Sequence, residues 1–151
     1  MHYQPQRHLL QYGIILVTGA SDGIGREAAL TYSRYSASVI LVGRNEEKLR
    51  SVAHEIQQAG GIPARWFTLD LLTCTPQECQ QLAQKIAIHY PRLDGVLHNA
   101  GLLGDVCPMD RQKPEVGQLV MPVNVNGTSM LTQALLPFFL QSESGSLIFT
   151  P

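Results

Sequence analysis

The sequence lacks several features that mark membrane and disulfide-rich proteins. Its apolar runs are shorter than the roughly 20 residues of a membrane-spanning helix, and residues 1–7 contain no apolar stretch of signal-peptide length. The three cysteines, Cys74, Cys79 and Cys107, are an odd number without metal-ligand spacing. We therefore expect a cytoplasmic protein with reduced thiols, no membrane partner and no metal site.

An excess of positive charge is also absent. Eleven Lys and Arg stand against twelve Asp and Glu, whereas a nucleic-acid partner requires a basic surface. Nucleic acid is therefore not expected as a partner. The 151 residues, 44% of them apolar, suit one compact domain with a sizeable core and leave no room for a second full domain within them.

The sequence does contain an alternation of short β-branched runs and longer amphipathic segments, which is typical of βαβ units. The runs are almost continuously apolar, as expected for strands that helices cover on both faces. This pattern predicts an α/β fold with a Rossmann-like, doubly wound parallel sheet. The predicted strands are 14–18, 38–43, 64–70, 93–99 and 146–150.

Four helices are predicted between these strands. The first two cover residues 23 to about 36 and 45 to about 58, and the third begins at Thr75, Pro76 and Glu78, which fit a capping box with a first-turn proline. The fourth spans 115 to about 140. Within it, Pro122 removes a backbone donor and should cost about 3 kcal/mol unless a local kink absorbs it.

A glycine-rich loop joins the first strand to the first helix, from Thr18 to Gly25. A dinucleotide pyrophosphate needs a tight turn, unobstructed backbone N–H groups and the N-terminus of a helix. Gly19 suits the turn, Gly23 would admit the pyrophosphate, and Gly25 would let the helix approach the sheet. A purely structural turn is the alternative.

The end of the second strand indicates which dinucleotide is bound. A carboxylate would be expected there to bind the ribose of NAD, but the sequence has Arg44, whose guanidinium suits a 2′-phosphate and favours NADP over NAD. The alternatives are a solvated arginine, or a pair with Glu46 or Glu47. Asp70, after the third strand, could accept from the adenine amino group or cap the turn that follows.

Three motifs resemble those of the short-chain dehydrogenase/reductase family over residues 12–150. They are Val17 to Gly25, His98-Asn99-Ala100-Gly101 and Asn124-Val125-Asn126-Gly127. The resemblance implies a sheet order of 3-2-1-4-5 and NADP-dependent hydride transfer between the nicotinamide and the carbonyl or alcohol carbon of a small substrate. It also implies an N-terminal arm over 1–11, a Rossmann domain over 12–151 and a possible homo-oligomer.

The resemblance assigns each motif a part of the site. Asn124 matches the family asparagine that holds a backbone kink and a water of the proton relay. His98 replaces an asparagine of the family, and we expect its ring to bond to neighbouring backbone rather than to act in catalysis. The implied cofactor contacts are the phosphates for Gly19, Ser21 and Ile24, the 2′-phosphate for Arg44, adenine for Asp70 and Leu71, and the nicotinamide-side ribose for Asn99, Ala100 and Gly101.

The family's catalytic Tyr-x-x-x-Lys does not occur in this sequence, and the family serine would fall just past Pro151. We therefore expect a domain truncated on its C-terminal side, which binds cofactor at most. An alternative is a non-catalytic dinucleotide-binding module that acts through a protein partner. A methyltransferase also uses a glycine-rich turn, but the spacing of the glycines and Arg44 count against it.

Truncation has a predicted packing consequence. The fifth strand would lie at an uncovered edge of the sheet and expose apolar side chains, which invites aggregation. The fourth helix would lack its family partner. The residues expected to be exposed are Leu147, Ile148 and Phe149 on the strand, and Leu131, Leu135, Phe138 or Phe139 on the helix.

Overall fold

The computed structural model of the protein describes residues 5–150, which form a single parallel sheet flanked by helices. The strand order β3-β2-β1-β4-β5 confirms the predicted order, and the fold is Rossmann-like. The strands are β1 (Ile14–Thr18), β2 (Ser38–Gly43), β3 (Arg65–Thr68), β4 (Gly95–His98) and β5 (Ser146–Phe149).

The register of the sheet aligns the carboxyl ends of its central strands. Thr18 at the end of β1 is paired with Val42 of β2, and Val17 is paired with Leu97 of β4. The loops that leave β1, β2 and β4 therefore emerge side by side. In open α/β sheets, this is the edge at which ligands bind.

The helices agree with the predicted segments except in the fourth. A capping box at Thr75 and Glu78 opens the third helix as predicted, with the Thr75 N–H donating to Glu78 Oε2 at 2.8 Å and the Glu78 N–H donating to Thr75 Oγ1 at 3.2 Å. The helices are α1 (Gly23–Arg34), α2 (Glu46–Gln58), α3 (Pro76–Ala87), α4 (Pro114–Met121) and α5 (Thr128–Phe139).

The predicted fourth helix is divided in two by a π-helical segment, Pro122–Gly127, which joins α4 to α5. An α-helix cannot supply a donor at a proline, and the proline ring crowds the carbonyl four residues earlier. The wider π turn begins at Pro122, where the α-helical pattern would otherwise be interrupted. Asn124 lies within this segment.

Side chains of alternate residues build a core on each face of the sheet. On one face, Leu16 and Ile40 pack with residues of α3 and α5. On the other, Val17, Val39 and Leu41 pack with residues of α1 and α2. Burial on both faces explains why the strands are continuously apolar. No helix within residues 5–150 is both long and apolar enough to cross a bilayer.

The exposed edge of the sheet is confirmed, whereas part of the expectation for the helix beside it is wrong. Leu147, Ile148 and Phe149 of β5 are 37%, 46% and 56% exposed. Leu131 and Leu135 of α5, however, are buried, because they face the sheet and α3 rather than solvent. Phe138 and Phe139 are half-buried, and the exposed apolar residues of this region are Leu136 and Leu140.

Candidate functional site

Glycines shape the loop between β1 and α1. Gly19 and Gly23 have φ angles of 65° and 53°, which residues with side chains rarely adopt. A Cβ at Gly25 would lie 2.5 Å from Asn99 Nδ2 and 2.8 Å from the Gly19 carbonyl carbon, whereas a Cβ at Gly23 would meet nothing within 4 Å. The loop is therefore closely packed behind Gly25 and open at Gly23, which leaves space for a ligand.

Asp22 caps the N-terminus of α1. Its Oδ1 accepts from the Gly23 N–H at 2.9 Å, and its Oδ2 accepts from Lys48 Nζ at 2.7 Å. The hydrogen bond from Lys48 holds the pKa of the Asp22 carboxyl below its usual value. The phosphate loop is thus joined to the first turn of α2 by an ion pair. Lys48 is not among the predicted site residues, because it lies 26 positions from Asp22 in the sequence.

Thr18 joins the ends of β1 and β4. Its Oγ1 accepts from the backbone N–H groups of Asn99 and Ala100, both at 3.1 Å. These bonds end β4 at His98, one residue before the predicted end, and fix the backbone of the Asn99-Ala100-Gly101 turn beside the glycine loop. No such role is predicted for Thr18, which begins the glycine-rich loop, because its partners are over 80 positions away.

Asn124 holds the loop that follows Gly101. Its Oδ1 accepts from the Leu102 N–H at 2.8 Å, and its Nδ2 donates to the Leu102 carbonyl at 2.9 Å. The whole side-chain amide is therefore engaged with one backbone residue. The structure shows that Asn124 tethers this loop to the π-helical segment, while its part in a proton relay stays a prediction.

A cleft of about 780 Å³ runs along the carboxyl ends of β1, β2, β3 and β4. It brings together every predicted cofactor residue except Gly25, which lies buried behind the loop. Thr18 and Lys48 also line it. The predicted residues in the cleft are Gly19, Ser21, Gly23, Ile24, Arg44, Asp70, Leu71, Asn99, Ala100, Gly101 and Asn124.

Arg44 is exposed in this cleft, and no carboxylate within residues 5–150 comes within 4.0 Å of its guanidinium. Glu46 pairs instead with Arg50, at 3.6 Å. The alternative in which Glu46 or Glu47 neutralises Arg44 is therefore wrong. The five N–H donors of the Arg44 guanidinium remain available for an anionic ligand.

Asp70 follows β3, which ends at Thr68 rather than at the predicted residue 70. Its Oδ1 accepts from the Leu72 N–H at 3.0 Å, so the side chain caps the turn that ends the strand. The second carboxylate oxygen forms no hydrogen bond within the described part of the chain. Asp70 therefore has the capping role and also keeps an acceptor at the cleft.

The expectation for His98 is wrong in its partner, because the ring bonds to a side chain rather than to backbone. Thr132 Oγ1 donates to the Thr128 carbonyl at 2.8 Å, so it accepts from His98 Nε2 at 2.9 Å. The ring stacks on Phe149 with the centroids 5.0 Å apart. Burial lowers the pKa of His98 to about 4, and the residue does not line the cleft.

The three cysteines do not line the cleft. All three are free thiols, and Cys79 Sγ stands 3.8 Å from Cys74 Sγ. Burial raises the pKa of Cys79 to about 12, so its reactive thiolate form is scarce at neutral pH. Nowhere in residues 5–150 do three His, Cys, Asp or Glu side chains meet as metal ligands would.

Comparison with known proteins decides the family. The short chain dehydrogenase family model matches residues 13–151. The chain belongs to the short-chain dehydrogenase/reductase family. An uncharacterized oxidoreductase, YciK of Escherichia coli strain K12, is 71% identical over 150 residues, which are 99% of this chain and 60% of YciK.

Solved structures of this short-chain dehydrogenase family share the fold. A short chain dehydrogenase of Escherichia coli CFT073 complexed with NADPH has a TM-score of 0.93 and 70% identity, over 96% of this chain and 60% of that one. A short chain dehydrogenase of Shigella flexneri 2a strain 301 complexed with NADP has a TM-score of 0.92 and 68% identity, over 95% and 60%. The chain thus spans about 60% of the length of these relatives.

Proposed function

We propose that this chain binds NADP in the cleft at the carboxyl ends of the strands, as part of a short-chain oxidoreductase. The observation that carries the proposal is the continuity of the cleft, from the open glycine turn at Gly23 to the guanidinium of Arg44. A pyrophosphate suits the first of these and a 2′-phosphate the second. The complexes of similar chains with NADPH and NADP support the same cofactor.

Each part of NADP has a group of residues in the cleft that could bind it. The glycine loop, with Ser21 and Ile24, would hold the phosphates, and Arg44 the 2′-phosphate. Asp70 and Leu71 would flank the adenine, and Asn99 to Gly101 would line the second ribose. The bound nicotinamide supplies hydride exchange with a carbonyl or alcohol carbon of a small substrate.

The family's catalytic Tyr-x-x-x-Lys pair does not occur in these 151 residues. The five tyrosines are each followed, four residues later, by a residue other than lysine: Tyr3 by Arg7, Tyr12 by Leu16, Tyr32 by Ser36, Tyr35 by Val39 and Tyr90 by Asp94. Burial raises the pKa of Tyr32 and Tyr90, which makes both weaker acids. We therefore expect this chain to bind NADP without turning over a carbonyl substrate.

Fluorescence titration of the 151-residue chain with NADPH and with NADH tests the proposal. NADPH should bind more tightly, and Arg44→Gln should weaken NADPH by about tenfold or more, since hydrogen bonds between charged groups contribute about 1.5–3 kcal/mol. NADH should be little affected. Arg34→Gln, an exposed arginine on α1 outside the cleft, is the matched control. Equal binding of both nucleotides, or of neither, would contradict the proposal.

Turnover is measured separately, as NADPH consumption in the presence of carbonyl compounds. We expect none above the rate without protein. Robust reduction of a carbonyl by this chain would show that some other group supplies the proton.

A second candidate is a non-catalytic dinucleotide-binding module that acts through a protein partner. The exposed apolar strand β5, with Ile148 46% and Phe149 56% exposed, favours it because such an edge pairs readily with another chain. Self-association into a homo-oligomer, through this edge or through α5, is a separate proposal. The candidate module requires a stable and soluble chain, which sedimentation of the purified protein can detect. A protein obtained only as irregular aggregates would argue against it.

A further inference from the structure

We propose that Lys48 is a second residue that selects for the 2′-phosphate of NADP, and that Asp22 holds its ammonium group at the cleft. This inference rests on the proposed binding of NADP. It assigns the preference for NADP to two cations, Arg44 and Lys48, that approach the ligand from different elements.

The phosphate loop lies against the end of β2. A Cβ at Gly43 would lie 3.5 Å from Ser21 Oγ, so Ser21 stands next to the end of that strand. Asp22 and Arg44 follow Ser21 and Gly43 directly, and both line the cleft. The loop that would hold the pyrophosphate and the end of β2, which Arg44 follows, thus meet at one corner of the cleft.

Lys48 lies in the first turn of α2. Asn45 caps α2, and its Oδ1 accepts from the Lys48 N–H at 2.9 Å, which fixes the lysine backbone in the first turn. From there the side chain reaches the phosphate loop, where Nζ donates to Asp22 Oδ2 at 2.7 Å. The side chain is 55% exposed and lines the same cleft as Arg44.

Asp22, Lys48 and Arg44 set the charge at this corner of the cleft. An ionised Asp22 alone would repel a 2′-phosphate, which carries about 1.5 to 2 negative charges at neutral pH. Lys48 neutralises that carboxylate with one of its three N–H donors and keeps two for phosphate oxygens. With Arg44, the corner has two cations and one anion. The ribose of NAD carries no charge there, so the second cation favours NADP over NAD.

The test is a double-mutant cycle with NADPH and NADH as the ligands, followed by fluorescence. Lys48→Gln should weaken NADPH binding by about tenfold, as for a lost charge-assisted hydrogen bond, and NADH by less than twofold. Asp22→Asn supplies the background in which no carboxylate at this corner can repel the phosphate or pair with Lys48. Asn caps a helix as well as Asp does, so α1 should remain intact.

The double variant separates contact with the phosphate from simple neutralisation. If Lys48 contacts the phosphate, Lys48→Gln still weakens NADPH binding by about threefold to tenfold in the Asp22→Asn background. The effect is smaller than in the wild type, where the same substitution also leaves the Asp22 carboxylate unpaired. If Lys48 only cancels the charge of Asp22, the second substitution has no effect in that background, and the proposal is overturned. Arg50→Gln removes a cation from the same helix outside the cleft and should alter neither nucleotide.

Failure of this inference is distinguishable from failure of the proposed function. A wild-type chain that prefers NADPH, loses the preference in Arg44→Gln and keeps it in Lys48→Gln would overturn the role of Lys48 and leave NADP binding intact. A wild-type chain that binds neither nucleotide would overturn both. Equal far-ultraviolet circular dichroism and unfolding midpoints show that each variant is folded.

Discussion

Replacement of Gly25 by alanine should damage both the fold and the cofactor cleft. The new Cβ would lie 2.5 Å from Asn99 Nδ2 and 2.8 Å from the carbonyl carbon of Gly19, about 0.9 and 0.6 Å short of the 3.4 Å at which ordinary contact begins. The Asn99 amide could turn aside, but the backbone of Gly19 is the glycine turn itself. Helix α1 must therefore move away from the loop.

Two opposing contributions determine how much Gly25→Ala changes the free energy of unfolding. Overpacking of this kind costs about 1–3 kcal/mol, and alanine in a helix recovers at most about 1 kcal/mol relative to glycine. We expect a net loss of about 1–2 kcal/mol in the free energy of unfolding, which lowers the Tm by roughly 2–8 °C for a chain of this size. NADPH binding should weaken by at least about tenfold, because Gly19 and Asn99 both line the cleft.

Urea unfolding and NADPH titration measure the two effects. Gly117→Ala is the matched control, because a Cβ there meets nothing within 4 Å and its φ is not positive. It lies in α4 and should stabilise the chain by about 0.5–1 kcal/mol. A Gly25→Ala variant as stable as the wild type, with unchanged NADPH binding, would refute the close approach of α1 to the loop.

Three further predictions concern the surroundings of the cleft. Asn124→Ala removes both bonds to Leu102 and should cost about 1–2 kcal/mol and speed hydrogen exchange in the 102–114 loop, whereas Asn126→Ala should do neither. His98, with a pKa of about 4 folded against 6.5 unfolded, binds its proton more readily in the unfolded chain. Stability should therefore fall by up to about 3 kcal/mol between pH 6.5 and 4, and a His98→Gln variant with the same pH dependence would contradict this. Ile148→Lys should reduce self-association in sedimentation, as charges on edge strands do.

The strands were predictable where the physical cause is local. The predicted bounds 14–18 and 38–43 are those of β1 and β2 in the structure. Short, unbroken apolar runs between turns are typical of strands that are buried on both faces. The strands predicted over 64–70 and 93–99 are shorter in the structure. Asp70 caps a turn and Asn99 bonds to Thr18, and neither bond is evident from the apolar pattern.

Packing of α5 was predicted wrongly for a tertiary reason. Leu131 and Leu135 were expected to be exposed because the resemblance supplied only one cover for them, the family's partner helix. In the structure α3 and the sheet cover these residues, and both are buried. The π-helical segment was likewise foreseen only as an unspecified kink at Pro122.

The candidate site was predictable in its glycines and in Arg44, because local sequence order places them at strand ends. Lys48 and Thr18 were missed. Their partners, Asp22 for the lysine and the Asn99 and Ala100 amides for the threonine, are close only after the sheet has formed. Contacts of this kind depend on how the strands pair, and a continuously apolar strand has no alternation of apolar and polar residues that would fix its register.

The central claim is that NADP binds along the carboxyl ends of β1, β2, β3 and β4. Amide chemical-shift mapping of the ¹⁵N-labelled chain with NADP⁺ tests it most directly. The largest changes should fall on residues 19–25, 43–48, 69–71 and 99–102, with residues at the opposite end of the sheet, such as Tyr12, Asp94 and Ser146, unaffected. Changes centred on those three residues, or no changes at saturating nucleotide, would contradict the account.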